Sequence, residues 1–446
     1  MESIRDDAGR IHQLKSKIGY DEEQGAIFKT TDNNILVRGI LDDANIEIKQ
    51  DELYYSKYMD IINDIKALEL LNLNIIKPLN FLIKPFIGYT MNIPTGLIPL
   101  RELMQRPDEK QVVYYVKTGG LKRRKKILVN LSKILLQLHS IPAVYTSLSP
   151  ENIFILPGSE NDEIWLLNSS NMNCSVSFTK SSDSKANPYS SPEIADGTGT
   201  YSFMSDSYSF ALVAYELLTL VPWGSSNKGI DQNMVLSENI SDLFKQTFSE
   251  TGRIQPNTRP TMRDWYRVLS EDSENIIQCK QCGSSMYAGP KECLICKSPT
   301  PKIILADISD VTSLQAVVDE MNRKCDEYGI VDKPQFATKS TRIVGRKVLE
   351  FKLEEQFLYN HHTENVVLSS KTIPTISVTL CVSKEKKLQA SFKNLTDKKI
   401  SISVDEKDRQ ILERNKAHIV TLPCKSIQLS IKLNECTTRL ISMVIK

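Results

Sequence analysis

Between residues 17 and 92, short apolar runs alternate with polar turns: "KIGYDEEQGAIFKT", "NNILVRGI", "NIIKPLNFLI" and "FIGYTMN", with one helix-like patch at "DELYYSKYMDII". The pattern predicts a small sheet carrying one helix. From Leu121 the spacing changes. Ile127, Leu128, Leu131, Ile134, Leu135 and Leu138 fall on one stripe of "KRRKKILVNLSKILLQLHS", as a helix packed on one face requires. The basic run Lys122 to Lys126 opens this helix; a solvated basic face is the first reading, and a grip on an acidic partner or phosphates the second. Two strand-like pieces, "NIFIL" and "EIWLL", flank the turn "PGSEND", and a Ser- and Asn-rich loop runs from Asn168 to Asn187. "SDSYSFALVAYELLTL" is apolar almost all round, which predicts a buried helix, and "RPTMRDWYRVL" reads as the last helix of this region.

Beyond it the composition shifts at "CKQCGSSMYAGPKECLICKSPTPK". A helix follows at "DVTSLQAVVDEMNRKCDEYG", with Gly329 closing it. From Arg342 the chain is a series of short alternating runs: "TISVTLCV", "KLQASF", "KKISISV", "HIVTL", "SIQLSIKL" and "RLISMVI". Evenly spaced short strands with polar turns predict an antiparallel β-sandwich of about eight strands. The chain reads without an internal repeat. The expected organisation is a first domain over residues 10–270, a cysteine module over 275–300, a helical linker over 301–340 and the sandwich over 341–446.

The 446 residues are long enough for two or three cored domains. A formal net charge of +2 gives no global reason to expect nucleic acid as a partner. The start "MESIRDDAGR" lacks the basic and apolar regions of a secretory signal, and no apolar run is long enough to span a bilayer. A cytoplasmic protein with no membrane association is expected.

Cysteine usage supports that expectation. There are nine in all, and Cys279, Cys282, Cys293 and Cys296 form two C-x2-C pairs, with Gly283 after the first. Two-residue spacing lets both thiolates of a knuckle face one ion, and four sulfurs make the closed tetrahedral site of structural zinc. A redox pair is the alternative for one C-x-x-C alone. In "YNHHTE", His361, His362 and Glu364 invite a metal reading, but neighbours on a strand point to opposite faces. A turn would lift that objection. These residues are read as structural or partner-contacting.

Several phrases stand in order: "IGYDEEQGAIF", "NNILVRGI", "YTSLSPENIFI", "IWLLNSSN", "PYSSPEI", "SDSYSFALVAYELL" and "RPTMRDW". Together they resemble the protein-kinase fold over roughly residues 10–270. More narrowly, the chain is similar to a bacterial group of kinase-like proteins whose loops read "YGDISPNNIFI" and "VWLIDADN" and which carry a short cysteine cluster after the kinase region. The resemblance implies an α+β, bilobal kinase-like fold followed by the zinc knuckle and the β-sandwich. It also implies a place in bacterial stress or defence signalling, with a von Willebrand factor A domain protein and a metal-dependent Ser/Thr phosphatase as partners.

Against that family the departures concern chemistry. Phosphoryl transfer needs a glycine loop over the phosphates, a lysine on them, an acid for the substrate hydroxyl and carboxylate on magnesium. Gly19 and Gly25 remain of the glycine loop, but Asp21, Glu22 and Glu23 fill its tip and would repel a triphosphate. Arg38 stands at the lysine position, and its planar fork does not reproduce a lysine point contact. Glu52 is a candidate partner for it. Ser147 stands where the catalytic acid belongs and cannot act as a base at neutral pH. Asn168 and Ser170 replace acids of the metal loop, while Asn152 is retained. By contrast Glu193, Arg259 and Asp206, which hold the family's fold together, are all present. The expected function is a pseudokinase adaptor in which ATP and magnesium binding is degraded. The competing reading is an atypical active Ser/Thr kinase using another acid such as Asp21 or Asp162.

Overall fold

The structure is a computed structural model, and it describes residues 3–21, 25–40, 52–68, 70, 73–84, 86–104, 110–141, 143–158, 162–167, 172, 188–331, 333, 335, 337–350, 354–364 and 372–446. It is a mixed α/β protein with several sheets, and its chain divides into two compact units, Met1–Leu269 and Ser270–Lys446. Among the described residues no helix is long and apolar enough to cross a membrane.

The first unit begins with six antiparallel strands: β1 (Ser3–Arg5), β2 (Ile11–Asp21), β3 (Gly25–Thr30), β4 (Ile35–Gly39), β5 (Pro78–Phe81) and β6 (Gly88–Asn92), ordered β1-β2-β3-β4-β6-β5. Helix α1 (Glu52–Ala67) contributes Ile62 to a cluster with Ile27, Leu36, Tyr89 and Met91. The unit starts before residue 10. Ile4 of β1 is buried with Leu14, Ala26 and Val37, and pairs opposite His12, so a three-residue strand too short to show periodicity still closes the edge.

A small sheet follows, of β7 (Ile98–Pro99), β8 (Ile153–Leu156) and β9 (Glu163–Leu166), with β8 and β9 forming the expected hairpin. The helices are α2 (Gln111–Lys117), α3 (Gly120–Leu138), α4 (Pro192–Ala195), α5 (Phe203–Thr219), α6 (Gln232–Val235), α7 (Glu238–Phe248), α8 (Glu250–Ile254) and α9 (Met262–Ser273), the last running to the start of the second unit. The apolar stripe of α3 is buried as its spacing predicts. The basic run divides: Lys122 is exposed and Arg123 and Lys126 are half-buried, as a solvated face requires, but the two residues between them are not. Arg124 and Lys125 are fully buried, and the Arg124 guanidinium donates to the carbonyls of Leu217, Tyr115, Gly120 and Leu103 and to the Thr118 hydroxyl. Five acceptors substitute for water around a cation without a carboxylate, which spacing alone does not reveal. Helix α5 is buried on nearly every face, and a Ser202 capping box fixes its start: the Ser202 hydroxyl accepts from Met204 and Ser205, while Ser205 returns a bond.

The second unit contains a short hairpin, β10 (Ile276–Gln278) and β11 (Ser285–Tyr287), and then two antiparallel sheets. Six strands, β12 (Ile303–Ser313), β13 (Lys339–Glu350), β17 (Ile400–Val404), β18 (Lys407–Leu412), β20 (Ile427–Lys432) and β21 (Thr437–Ile445), run in the order β13-β12-β21-β20-β17-β18. Four others, β14 (Gln356–Tyr359), β15 (Pro374–Val382), β16 (Leu388–Asn394) and β19 (Ala417–Thr421), form β14-β15-β16-β19. Both sheets feed one apolar core, in which Ile304, Ile308 and Leu429 meet Val378, Phe392 and Val420. Helix α10 (Gln315–Glu327) lies between β12 and β13 in the chain, and the single turn α11 (Asn360–Thr363) follows β14.

The expected linker over 301–340 is corrected by β12, which is a strand inside the larger sheet, between β13 and β21. Its two faces serve different cores. Ile304, Ala306 and Ile308 enter the shared core of the two sheets, while Ile303 and Leu305 pack with the cysteine cluster. The first four residues of β12, Ile303 to Ala306, are buried on both faces and read as a continuous apolar run rather than an alternation, while Asp307 onward alternates with an exposed face. Helix α10 begins later than the sequence pattern suggests because β12 uses residues up to Ser313. Gly329 does take the left-handed conformation expected after it, at φ +68°.

Candidate functional sites: the four-cysteine cluster and the Ser147 loop

The two C-x2-C pairs converge. The Cys279 and Cys296 sulfurs lie 3.6 Å apart and those of Cys282 and Cys293 3.7 Å apart, with all four within 4.8 Å of one another. Thiolates about 2.3 Å from one tetrahedral zinc ion stand about 3.8 Å apart, so the spacing fits zinc. Each arm closes by the same device. Gly283 donates to the Cys279 carbonyl and Lys297 to that of Cys293, both at 2.9 Å, while Cys279 and Cys293 donate to the carbonyls of Ser284 (2.8 Å) and Ser298 (2.7 Å). "CKQCGS" and "CLICKS" are therefore one six-residue repeat in structure as in sequence, shorter than a domain-sized repeat.

The thiols of the cluster are pushed in opposite directions. The backbone N–H groups of Cys282 and Gln281 lower Cys279, but burial and the neighbouring thiols outweigh them and push it up to about 11, while Cys293 is drawn toward thiolate. The Ser284 hydroxyl sits 3.0 Å from the Cys282 sulfur and 3.3 Å from that of Cys293. Burial opposes charge on Cys293, but the Ser284 hydroxyl and the backbone N–H groups of Cys296 and Ile295 outweigh it and bring this thiol down to about 6. Cysteine ligands bind metal as thiolates, so this prepares Cys293 for a cation.

One arm is strained where the other is not. Gly283 has φ +69° and Lys297 φ +60°. The left-handed region costs a residue with a Cβ about 1–2 kcal/mol, against which glycine loses about 0.5–1 kcal/mol in unfolded-chain entropy. Lys297→Gly is expected to stabilise the zinc-loaded protein by about 0.5–1 kcal/mol. The check is the urea midpoint, which should rise; a fall would mean that the Lys297 side chain makes contacts worth more than the strain.

In the first unit, the loop at Ser147 is held from α5. Asp206 is buried and accepts from the backbone N–H groups of Tyr145 (2.8 Å) and Thr146 (2.9 Å), and it contacts the His139 ring at 3.0 Å. Thr146 adopts φ +67°, a conformation that these two bonds to one carboxylate stabilise. Ser147 and Asn152 are brought together, because the Asn152 side-chain amide donates to the Ser147 carbonyl at 2.8 Å. Arg38 is the fourth of the five residues of β4, opposite Ile27 and Tyr89, and is 1% exposed. Tyr145 is also fully buried. Burial and the Asp206 charge push its phenol well above the usual range, and the Arg38 charge acts in the opposite direction.

Gly19 and Gly25 lie in the hairpin of β2 and β3, with Gly19 opposite Ile27 and Gly25 opposite Asp21. Glu22, Glu23, Asn168 and Ser170 lie outside the described residues, and Glu52 is the first residue of α1. Asp162 is engaged by the Arg123 guanidinium at 2.7 and 3.1 Å. Glu151 is likewise engaged by Arg101. Arg101 also bonds Glu216 of α5 and the Tyr189 hydroxyl, a network of residues far apart in the chain that the sequence reading missed. Glu193 and Arg259 form a two-pronged ion pair at 2.8 and 2.7 Å, and the Arg259 Nε donates to the Gly252 carbonyl at 2.6 Å.

His361 and His362 share one turn, α11, and both rings face a carboxylate. It belongs to Glu274. Glu364 instead pairs with Lys398 at 3.1 Å. Arg439 and Asp310, which the sequence reading did not single out, form a buried ion pair behind the turn. Comparison of the chain with protein-family models and with curated proteins finds no match.

Proposed function

We propose that the first unit is a bilobal, kinase-like scaffold without phosphotransfer activity, and that the paired sheets of the second unit are a β-sandwich joined to it by a structural zinc knuckle. In this reading the protein is an adaptor in a bacterial phosphorylation-linked stress or defence pathway. The partners are those of the group it resembles, a von Willebrand factor A domain protein and a metal-dependent Ser/Thr phosphatase. A reducing cytoplasm suits four zinc-binding thiols.

The burial of Arg38 carries this reading. A lysine that holds nucleotide phosphates must face an open cleft, whereas the cation here is enclosed beside Tyr145 and Tyr89. Ser147 supports it, since a hydroxyl at the acid position supplies neither charge nor a base. The Asp206 and Glu193–Arg259 contacts support a fold kept for its shape.

Thermal unfolding of the zinc-loaded protein with millimolar ATP and magnesium tests the proposal. A ligand present at ~100 times its Kd stabilises by ~2.7 kcal/mol; no shift is expected. The double variant Arg38→Lys/Ser147→Asp is also expected to show no phosphotransfer. A magnesium-dependent shift with turnover in the wild type would replace the scaffold with the atypical-kinase reading.

A further inference from the structure

The α11 turn is built more heavily than a single helical turn requires. Buried Arg439 of β21 pairs with Asp310 of β12 at 2.6 and 3.0 Å and donates to three carbonyls of the turn, those of His361 (3.2 Å), His362 (3.3 Å) and Glu364 (3.0 Å). The Asn360 side chain accepts from the backbone N–H groups of His361 and Ile373. This frame holds two neighbouring imidazoles with ring centres 3.9 Å apart. Their Nε2 atoms face Glu274, at 2.5 Å for His362 and 3.4 Å for His361, and Lys347 of β13 reaches the same carboxylate at 3.2 Å.

Two imidazoles and a carboxylate are a familiar ligand set for a divalent cation, but a hydrogen bond argues against it. The Tyr359 N–H donates to Nδ1 of His362 at 2.9 Å. That nitrogen must therefore be bare, which puts the proton of the neutral ring on Nε2, where it donates to Glu274. A metal at Nε2 would need the opposite tautomer. Both nitrogens of His362 are already satisfied in the neutral state, and a second proton has nowhere to go except Nδ1, against the Tyr359 N–H.

We infer that His362 is a proton-sensitive latch: neutral, it ties the α11 turn to Glu274, and acidification opens the turn because the imidazolium cannot be accommodated within it. The groups around it act on this balance with different signs. Glu274 alone favours a charged ring. Burial, the adjacent His361 and Lys347 oppose it; the Arg439 guanidinium beyond the His362 carbonyl is paired with Asp310, and Glu364 with Lys398, so neither pair adds a net charge. Burial is the largest of these and holds His362 below its ordinary value. The sign follows. A group whose proton is bound more weakly in the closed form takes one up on opening, so opening becomes easier as pH falls below about 6.5, the value of a free histidine.

Amide hydrogen exchange of the zinc-loaded protein between pH 7.5 and 5.5, corrected for intrinsic rates, tests the latch at Tyr359, Glu364, Ile373 and Val348, the last of which donates to the Glu274 carbonyl. One proton taken up per opening increases the open population up to about tenfold per pH unit below about 6.5. The Gly283 and Lys297 amides report the cysteine arms separately. His362→Gln, which keeps a donor toward Glu274 but does not titrate, should lose this dependence, and His361→Gln should keep it. The chemical shifts of the five histidine rings give a readout that needs no stable variant: His362 should titrate below the free-histidine value. A His362 ring charged at neutral pH, protection that does not change with pH, a dependence that survives in His362→Gln, or a second zinc equivalent lost in that variant would each overturn the inference.

Discussion

Stripping the metal should unfold the segment from Ile276 to Thr300, with Cys293→Ser giving nearly the same result. Structural zinc contributes an apparent 10–16 kcal/mol to small cysteine modules, and the two arms here share little besides the sulfurs and the apolar contacts packed around them. Those contacts include Ile277 and Met286 of the short hairpin and Ile303 and Leu305 of β12. Loss of the ion should therefore also bare one face of that strand. The expected measurements are one zinc per chain by elemental analysis, and new protease cleavage between residues 279 and 300 on adding a chelator. Protein purified without zinc, with chelator leaving cleavage unchanged, would remove the metal from the account.

The second large effect concerns Glu193. Removing its carboxylate leaves the Arg259 guanidinium, whose side chain is 0% exposed, as an uncompensated buried charge, which typically costs 3–5 kcal/mol. Glu193→Ala should destabilise the first unit by about that much. The double variant Glu193→Ala/Arg259→Met should lose less, because it removes the stranded cation with its partner. All three tryptophans, Trp165, Trp223 and Trp265, lie in the first unit, so their fluorescence during urea unfolding reads it alone. Burial raises the Glu193 carboxyl, but the bonds from Arg259 prevail and hold it below the ordinary carboxylate value. A carboxyl depressed in the folded state contributes stability that is present above the unfolded value and disappears as pH falls through the folded one. Acid should thus weaken the wild type more than the double variant. Equal loss in single and double variants would show that the pair is not what the unit depends on.

What could be read from the sequence was whatever repeats locally. The stripe on α3, the all-round apolarity of α5 and the two-residue cysteine spacing each occupy one short window, and a single window gives their meaning. Asp206, Glu193 and Arg259 became visible only through resemblance, as words in a known order. What stayed hidden depends on distant partners. Arg124 and Lys125 look like surface until the carbonyls that surround Arg124 are seen. His362 and Glu274 are 88 residues apart, and Arg439 is 129 from Asp310, so no local pattern announces the cluster. The start of β12 gives no strand signal because the two faces of Ile303 to Ala306 are buried in different cores, which erases the alternation that marks a strand exposed on one side.

That last strand pairing has a consequence for synthesis. Strand β12 lies between β13 and β21 in the sheet, yet Thr312 meets Thr437 across 125 residues. At about 5–20 residues per second, β12 leaves the ribosome roughly 6–25 s before its second neighbour exists. β13 can cover one edge early, through the hairpin that contains α10. The other edge, on a strand whose first four residues are apolar on both faces, waits uncovered, which is the kind of segment that pairs with other chains. The second unit should therefore depend on chaperones for its yield, more so when translation is slow, and ribosomes stalled before residue 437 should release chains that aggregate through β12.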